Sequence, residues 1–186
     1  MGDILLRRCD MLSFISEENY AKHKAEVEKR RLRLHILEKS CLEAPRLDAT
    51  GIMRRQRKIP DAVSMALLRA DVDLHRLYFD SFSERVMIPS TAARSFFGSE
   101  AALLSSMLRE GMKLAYGFVC LVRDKRGVLS VRAASDLLEM YNGAVPMLAV
   151  DLCEHAYYGD YGFDKERYLR AALPHLRLNV LDTNQA

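Results

Sequence analysis

The chain has 186 residues, with 49% hydrophobic and 28% charged residues and a formal net charge of +3. That length corresponds to about 1.2 domains, and a chain of this size buries roughly 70% of its unfolded surface without covalent staples. The composition excludes wholesale disorder, collagen-like repeats and coiled-coil rods; no apolar run reaches the roughly 18 residues of a membrane span, and so mild a charge does not by itself imply a nucleic-acid partner.

The opening MGDILLRRCD carries Asp3 ahead of an apolar patch too short for a secretory leader. Leu6 departs from the pattern that follows a myristoylated Met-Gly. From residue 16 to about 41 there is no Pro or Gly. Ser16 is the expected N-cap of a helix, with Glu17 and Glu18 in its first turn. Tyr20, His23, Val27, Leu34 and Leu37 trace one stripe, interrupted by Arg30 and Arg31. Such a helix is roughly 40 Å long. A loop follows with Pro45, Gly51 and the basic residues Arg54, Arg55, Arg57 and Lys58. Pro60 and Asp61 open a second helix that runs to about residue 83. Leu68, Val72, His75, Phe79 and Phe82 share one face, and Val63, Leu67, Ala70, Leu74 and Leu77 form the neighbouring stripe. Apolar coverage this wide predicts burial on more than one side. Two long helices joined by a loop predict an antiparallel hairpin.

The segment around Pro89 reads as a junction between a hairpin domain, 1–88, and an α/β domain, 89–186. A third helix is expected from residue 99 to about 108, ending near Gly111. The stretch LAYGFVCLVR at 114–123 reads as a strand, Asp124 to Gly127 as a turn and VLSVRA at 128–133 as its partner. Asn142-Gly143 is a second turn, and VPMLAV at 145–150 a short buried strand. Asp164 starts a last helix, stopped by Pro174. The fold class is therefore α+β: an N-terminal long α-helical hairpin plus a C-terminal α/β lobe with a three-stranded antiparallel sheet.

The cysteines Cys9, Cys41, Cys120 and Cys153 form no C-x-x-C pair, which argues against a structural zinc site or a thioredoxin-type motif. With no leader in the opening residues, the expectation is a cytoplasmic protein whose four thiols are free.

The densest polar constellation is Asp151-Leu152-Cys153-Glu154-His155-Ala156-Tyr157-Tyr158, directly after the strand VPMLAV. Strand ends hold side chains rigidly, and Asp151 and His155 lie one helical turn apart. His23 and His75 fall on apolar helix faces. His35 is roughly 120° around the first helix from His23 and cannot share its site. His175, after Pro174, reads as surface. Four ligand-competent groups on three buried elements are costly unless something pairs them. Three imidazoles and one carboxylate suit iron or manganese, and also zinc.

These residues resemble the iron/manganese superoxide dismutases. The stretch 150–161 is similar to the family's signature D-x-W-E-H-A-Y-Y, whose Asp and His bind the metal. His75-Arg76-Leu77-Tyr78-Phe79 resembles its second-helix ligand, and Phe14-Ile15-Ser16-Glu17-Glu18 with Lys22-His23-Lys24 resembles its first helix. Tyr116-Gly117-Phe118-Val119 sits where the family has W-A-W-L-V. The resemblance, over roughly 12–180, implies His23, His75, Asp151 and His155 as ligands of one Fe or Mn ion per subunit. It implies superoxide as substrate, disproportionated to dioxygen and hydrogen peroxide. It also implies a homodimer in which Glu154 bridges to the ligand His of a second subunit. The chain departs from the family's pattern elsewhere. The gateway His and Tyr positions are Val27 and Arg31, and the positions of the Gln behind the metal are Asp71 and about Ala134. The Trp of the signature is Cys153. Asp71, one turn before His75, is placed to accept a hydrogen bond from His75 or from metal-bound water. Arg31 is placed to steer anions or to pair with Asp71. Asp71, Arg31 and Tyr158 are thus the candidate catalytic residues, with Glu154 and Cys153 around the ligands and at the dimer seam.

The alternative is a divergent metal-binding member with little or no dismutase activity. A nucleic-acid module built on the basic residues of the first helix is opposed by the interleaved Glu26 and Glu28, and no membrane partner is expected. A two-His-one-carboxylate oxygenase is opposed by the third histidine.

Overall fold

The structure, a computed structural model, describes residues 12–42 and 62–183, without the side chains of residues 41 and 42. The helix opening expected at Pro60 and Asp61, the loop with Pro45 and Gly51, the basic residues at 54–58, Cys9 and the Cys41 side chain lie outside the described residues.

Helices α1 (Glu17–Leu42) and α2 (Ala62–Asp80) form a pair. The Ser16 hydroxyl accepts from the Asn19 backbone N–H at 3.2 Å, satisfying a donor that the first turn leaves open. Tyr20 meets Phe79, His23 meets His75, Arg30 meets Asp71 and Glu38 meets Arg69, so the two helices run antiparallel. Helix α1 buries a narrow stripe at Asn19, His23, Val27 and Leu34, and its charged remainder stays solvated. On α2 burial begins at Ala70 and continues through Val72, Leu74, His75 and Tyr78. Val63 and Leu67 of the expected second stripe are exposed. The two-sided burial read for the whole helix holds only for its C-terminal half, which packs on the sheet.

After Pro89 comes α3 (Thr91–Phe97), not anticipated because about two turns are too short to show a period. The Ser90 hydroxyl caps it by accepting from Ala93 N–H, and the Asp182 carboxylate accepts from Ala92 N–H and the Ser90 hydroxyl. Helix α4 (Glu100–Met112) follows, capped by Ser99 and extending about one turn past the expected end.

Strands β1 (Phe118–Asp124), β2 (Leu129–Ala134) and β3 (Ala144–Asp151) form an antiparallel sheet in the order β2-β1-β3. The expected strand at 114–123 begins four residues late, at Phe118. Gly117 bends the chain there with φ +112°, and a Cβ on it would lie 2.3 Å from the Ala134 carbonyl oxygen, an approach open only to glycine. Phe118 pairs with Ala134 on one side and Asp151 on the other, so Asp151 ends β3 level with the start of the central strand.

Helix α5 (Glu154–Tyr161) begins three residues after Asp151, and α6 (Lys165–Ala172) follows, capped by Asp164. The segment AYYGDY has no apolar helical period and contains Gly159, so local propensity gives no sign of α5. One hydrophobic core joins Phe14, Leu74 and Tyr78 of the hairpin side to Phe118, Leu148 and Tyr168 of the sheet side.

His175, expected at the surface, is buried. Beyond Pro174 the chain folds back over the end of α2: Phe82 bridges to Leu176, Ser83 N–H donates to the His175 carbonyl, and the His175 ring rests on Phe14. Periodicity cannot reveal a return of this kind. Among the described residues no helix is long and apolar enough to cross a membrane.

Candidate metal centre

Four side chains converge where α1, α2, the end of β3 and the start of α5 meet. They are His23, His75, Asp151 and His155, with one donor atom from each lying within 4.8 Å of all the others. Asp151 Oδ2 is the hub, 3.3 Å from His23 Nε2, 3.2 Å from His75 Nε2 and 3.0 Å from His155 Nε2. The His23, His75 and Asp151 side chains are at most 1% exposed, whereas His155 is 32% exposed, so the cluster meets solvent at that ring.

Two docking contacts set this geometry. Helix α1 is held to α5 by buried Asn19, whose Nδ2 donates to the Ala156 carbonyl at 3.1 Å and to Asp160 Oδ2 at 3.2 Å. The helices meet at Gly159, where a Cβ would come within 3.0 Å of Asn19 Oδ1. This contact sets His23 against His155. Helix α2 is held to β3 by buried Ser81, whose hydroxyl donates to the Leu77 carbonyl at 2.7 Å and accepts from Ala149 N–H at 2.9 Å. It sets His75 against Asp151. Sequence reasoning missed both residues; their only signal was an uncharged polar side chain at the end of an apolar helix face.

Hydrogen bonds assign the tautomer of one ring. His75 Nδ1 lies 2.7 Å from the Asp71 carbonyl oxygen. A carbonyl only accepts, so Nδ1 carries a proton and, in the neutral ring, Nε2 presents its lone pair. That lone pair faces His155 Nε2 at 3.3 Å and Asp151 Oδ2 at 3.2 Å. Asp151 Oδ1 accepts from Cys153 N–H at 2.8 Å, but Oδ2 has no hydrogen bond, and neither has either ring nitrogen of His23. The three short distances to Oδ2 lack hydrogen-bond direction and describe converging donor atoms. Converging lone pairs in a buried site are costly unless a cation sits among them.

The charge balance agrees. Burial disfavours the Asp151 carboxylate, but the His155, His23 and His75 rings outweigh it and hold its pKa well below the ordinary value. Burial disfavours a charged His75, but the Asp151 and Asp71 carboxylates outweigh it and raise its pKa to about 9. For His23 burial prevails and lowers the pKa. The three imidazoles and one carboxylate fit an iron or manganese ion.

Aromatic rings wall the centre. His23 lies against Tyr78 and Phe79, with centroids 5.1 and 5.0 Å away, and Phe118 meets His75 edge-on at 5.0 Å. Tyr116 is exposed. Cys153 is a half-buried free thiol near the Gly117 carbonyl, its pKa pushed up to about 12 by burial and by Asp151. Glu154 and Tyr158 lie on the exposed side of α5, and the Tyr158 ring meets Phe163 edge-on at 5.1 Å.

The arginine at Asp71 is not the one expected. Arg30 Nη1 lies 3.1 and 3.2 Å from the two Asp71 oxygens, whereas Arg31 is exposed and pairs with Glu28 at 2.5 Å. Arg30 falls in the 3-4 repeat of Tyr20, His23, Val27, Leu34 and Leu37, so it belongs to the buried stripe that it was read as interrupting; Arg31 is turned about 100° toward solvent. A cleft of about 620 Å³ is lined by Leu12, Tyr20, Phe82 and Arg177 among others and by none of the four donors.

A helical hairpin and an antiparallel sheet enclose a three-histidine, one-aspartate cluster whose donor set fits a single metal ion. Residues 90–183, just over half of the chain, match the family model for the C-terminal domain of iron/manganese superoxide dismutases. A 109-residue stretch is 32% identical to the superoxide dismutase [Fe] of Cupriavidus metallidurans, covering 55% of this chain and 55% of that protein. The chain thus spans about half the length of the curated relative it matches. It belongs to the iron/manganese superoxide dismutase family.

Proposed function

We propose that the protein is a cytoplasmic homodimeric superoxide dismutase that holds one iron or manganese ion on His23, His75, Asp151 and His155. The observation that carries this reading is the set of four donors within 4.8 Å, with Asp151 Oδ2 buried and lacking any hydrogen bond. A bound iron or manganese ion supplies one-electron chemistry between its trivalent and divalent states. Over a cycle two superoxides and two protons become one dioxygen and one hydrogen peroxide. Asp151 supplies the negative charge that favours the higher oxidation state. Tyr78, Phe79 and Phe118 keep bulk water from the buried ligands, and the exposed edge of His155 marks the side from which a small anion arrives. Glu154 and Tyr158 lie on that side and form the seam with a second copy, where Glu154 accepts from the second copy's His155.

A second reading is a metal-binding member with little dismutase activity. What favours it is the surface of α1 beyond His23: Val27 is apolar and buried, and Arg31 points to solvent on Glu28. Neither offers a proton donor to the centre. Elemental analysis combined with a superoxide-disappearance assay separates the two. Stoichiometric iron or manganese with rapid disappearance supports the dismutase; stoichiometric metal without it selects the second reading, and absence of both metals overturns both.

A further inference from the structure

Arg30 crosses from α1 to α2 and holds both oxygens of Asp71. Asp71 Oδ1 lies 3.3 Å from His75 Nδ1, beside the 2.7 Å contact between that nitrogen and the Asp71 carbonyl. Arg30, Asp71 and His75 therefore form a chain that ends on Nδ1 of His75, the ring nitrogen on the far side from the converging donor atoms. The pair is partly withdrawn from water, with the Arg30 side chain 35% exposed and Asp71 19% exposed. In the described contacts His75 alone of the three histidines has a carboxylate behind its distal nitrogen.

We propose that Arg30 is a positioning residue of the metal centre: it orients and neutralises the Asp71 carboxylate behind His75, and so sets how strongly that imidazole donates to the ion and which oxidation state the site favours. The inference rests on the metal-centre reading above. A carboxylate behind a metal-bound imidazole raises the basicity of the ring and tunes the metal. An uncompensated anion so close also favours the more highly charged ion. The Arg30 guanidinium offsets both effects, and from a different helix, so the balance depends on how α1 and α2 are docked.

A plain helix-to-helix tie makes a different forecast. If the pair only held α1 to α2, removing either partner would loosen the site and change its properties in the same direction. If charge is what matters, the two removals act in opposite directions. The test compares the parent protein with Arg30→Gln, Asp71→Asn and the double variant. Each is loaded with manganese, its midpoint potential measured by mediated redox titration and its affinity for Mn(II) by competition with a chelator. Arg30→Gln is expected to lower the midpoint and tighten Mn(II) binding. Asp71→Asn is expected to raise the midpoint and weaken binding about ten-fold or more. The double variant returns toward the parent, and Arg30→Lys, which keeps the charge, stays closer to the parent than Arg30→Gln. Should Arg30→Gln not fold, the Asp71→Asn and Arg30→Lys results carry the test. Shifts of the same sign in both single variants, or unchanged potentials in a loaded protein, overturn this inference alone. A parent chain that takes up no manganese or iron overturns the metal-centre reading and the inference with it.

Discussion

His23 Nε2 and Asp151 Oδ2 lie 3.3 Å apart, sealed from solvent, with no hydrogen bond between them. Where the neutral His23 ring presents its Nε2 lone pair, as a metal ligand does, that lone pair and the carboxylate oxygen repel at this distance. The fold holds them together because Asn19 locks α1 to α5 and Ser81 locks α2 to β3. A cation shared between the two atoms turns the repulsion into attraction.

Metal binding should therefore be coupled to stability. Mn(II) at a hundred times its dissociation constant is expected to stabilise the protein by about 2.7 kcal/mol. Asp151→Asn keeps the shape of the side chain and removes its charge. It should reduce metal content at least about ten-fold and abolish the rise in melting temperature with added ion. A variant that purified fully loaded and still responded to the ion would refute the central place of Asp151.

Ion affinity should rise with pH. In the metal-free cluster His75, with its pKa raised to about 9, carries a proton at neutral pH that a cation must displace. Displacing one proton makes apparent affinity grow about ten-fold per pH unit below that pKa. The gain is complete once pH passes about 9, and acid drives the ion out. Competition titrations at pH 6, 7 and 8 measure the slope; a flat profile would show that no proton leaves.

Ser81→Ala removes a buried hydroxyl that accepts from Ala149 N–H, leaving that donor unpaired between α2 and β3. The expected loss is about 1–3 kcal/mol, read by urea unfolding with an unchanged m-value. Because Ser81 sets His75 against Asp151, the same variant should also bind Mn(II) more weakly. Full stability together with full affinity would remove Ser81 from the architecture of the site.

The proposed seam is testable on its own. Tyr158 and Phe163 are 49% and 79% exposed and in contact with each other beside Glu154. Sedimentation equilibrium should find the parent as a pair of chains and Glu154→Ala shifted toward single chains. A parent that sediments as a single chain at tens of micromolar would sink the homodimer.

Much of the site was legible in the sequence. Asp151 and His155 lie one turn apart after a buried strand, and His23 and His75 fall on apolar faces of uninterrupted helical stretches. Spacing alone therefore placed four ligand-competent residues on elements that face inward. The α+β class and the three-strand order in the chain were equally legible, since alternation and turn residues are local signals. The late start of β1 was not, because it depends on Gly117 meeting the Ala134 carbonyl across the sheet.

The amino-acid sequence by itself determined which residues are ligand-competent and which helix faces they occupy, because periodicity is a property of neighbours along the chain. Only the tertiary structure decided that Arg30 rather than Arg31 reaches Asp71, that Asn19 and Ser81 lock the helices in place, and that His175 lies buried under the returning chain. The Arg30–Asp71, Ser81–Ala149 and Asn19–Ala156 contacts join residues 41, 68 and 137 positions apart. They depend on how each helix is rotated and docked against its partners, which the spacing of residues within one helix does not encode.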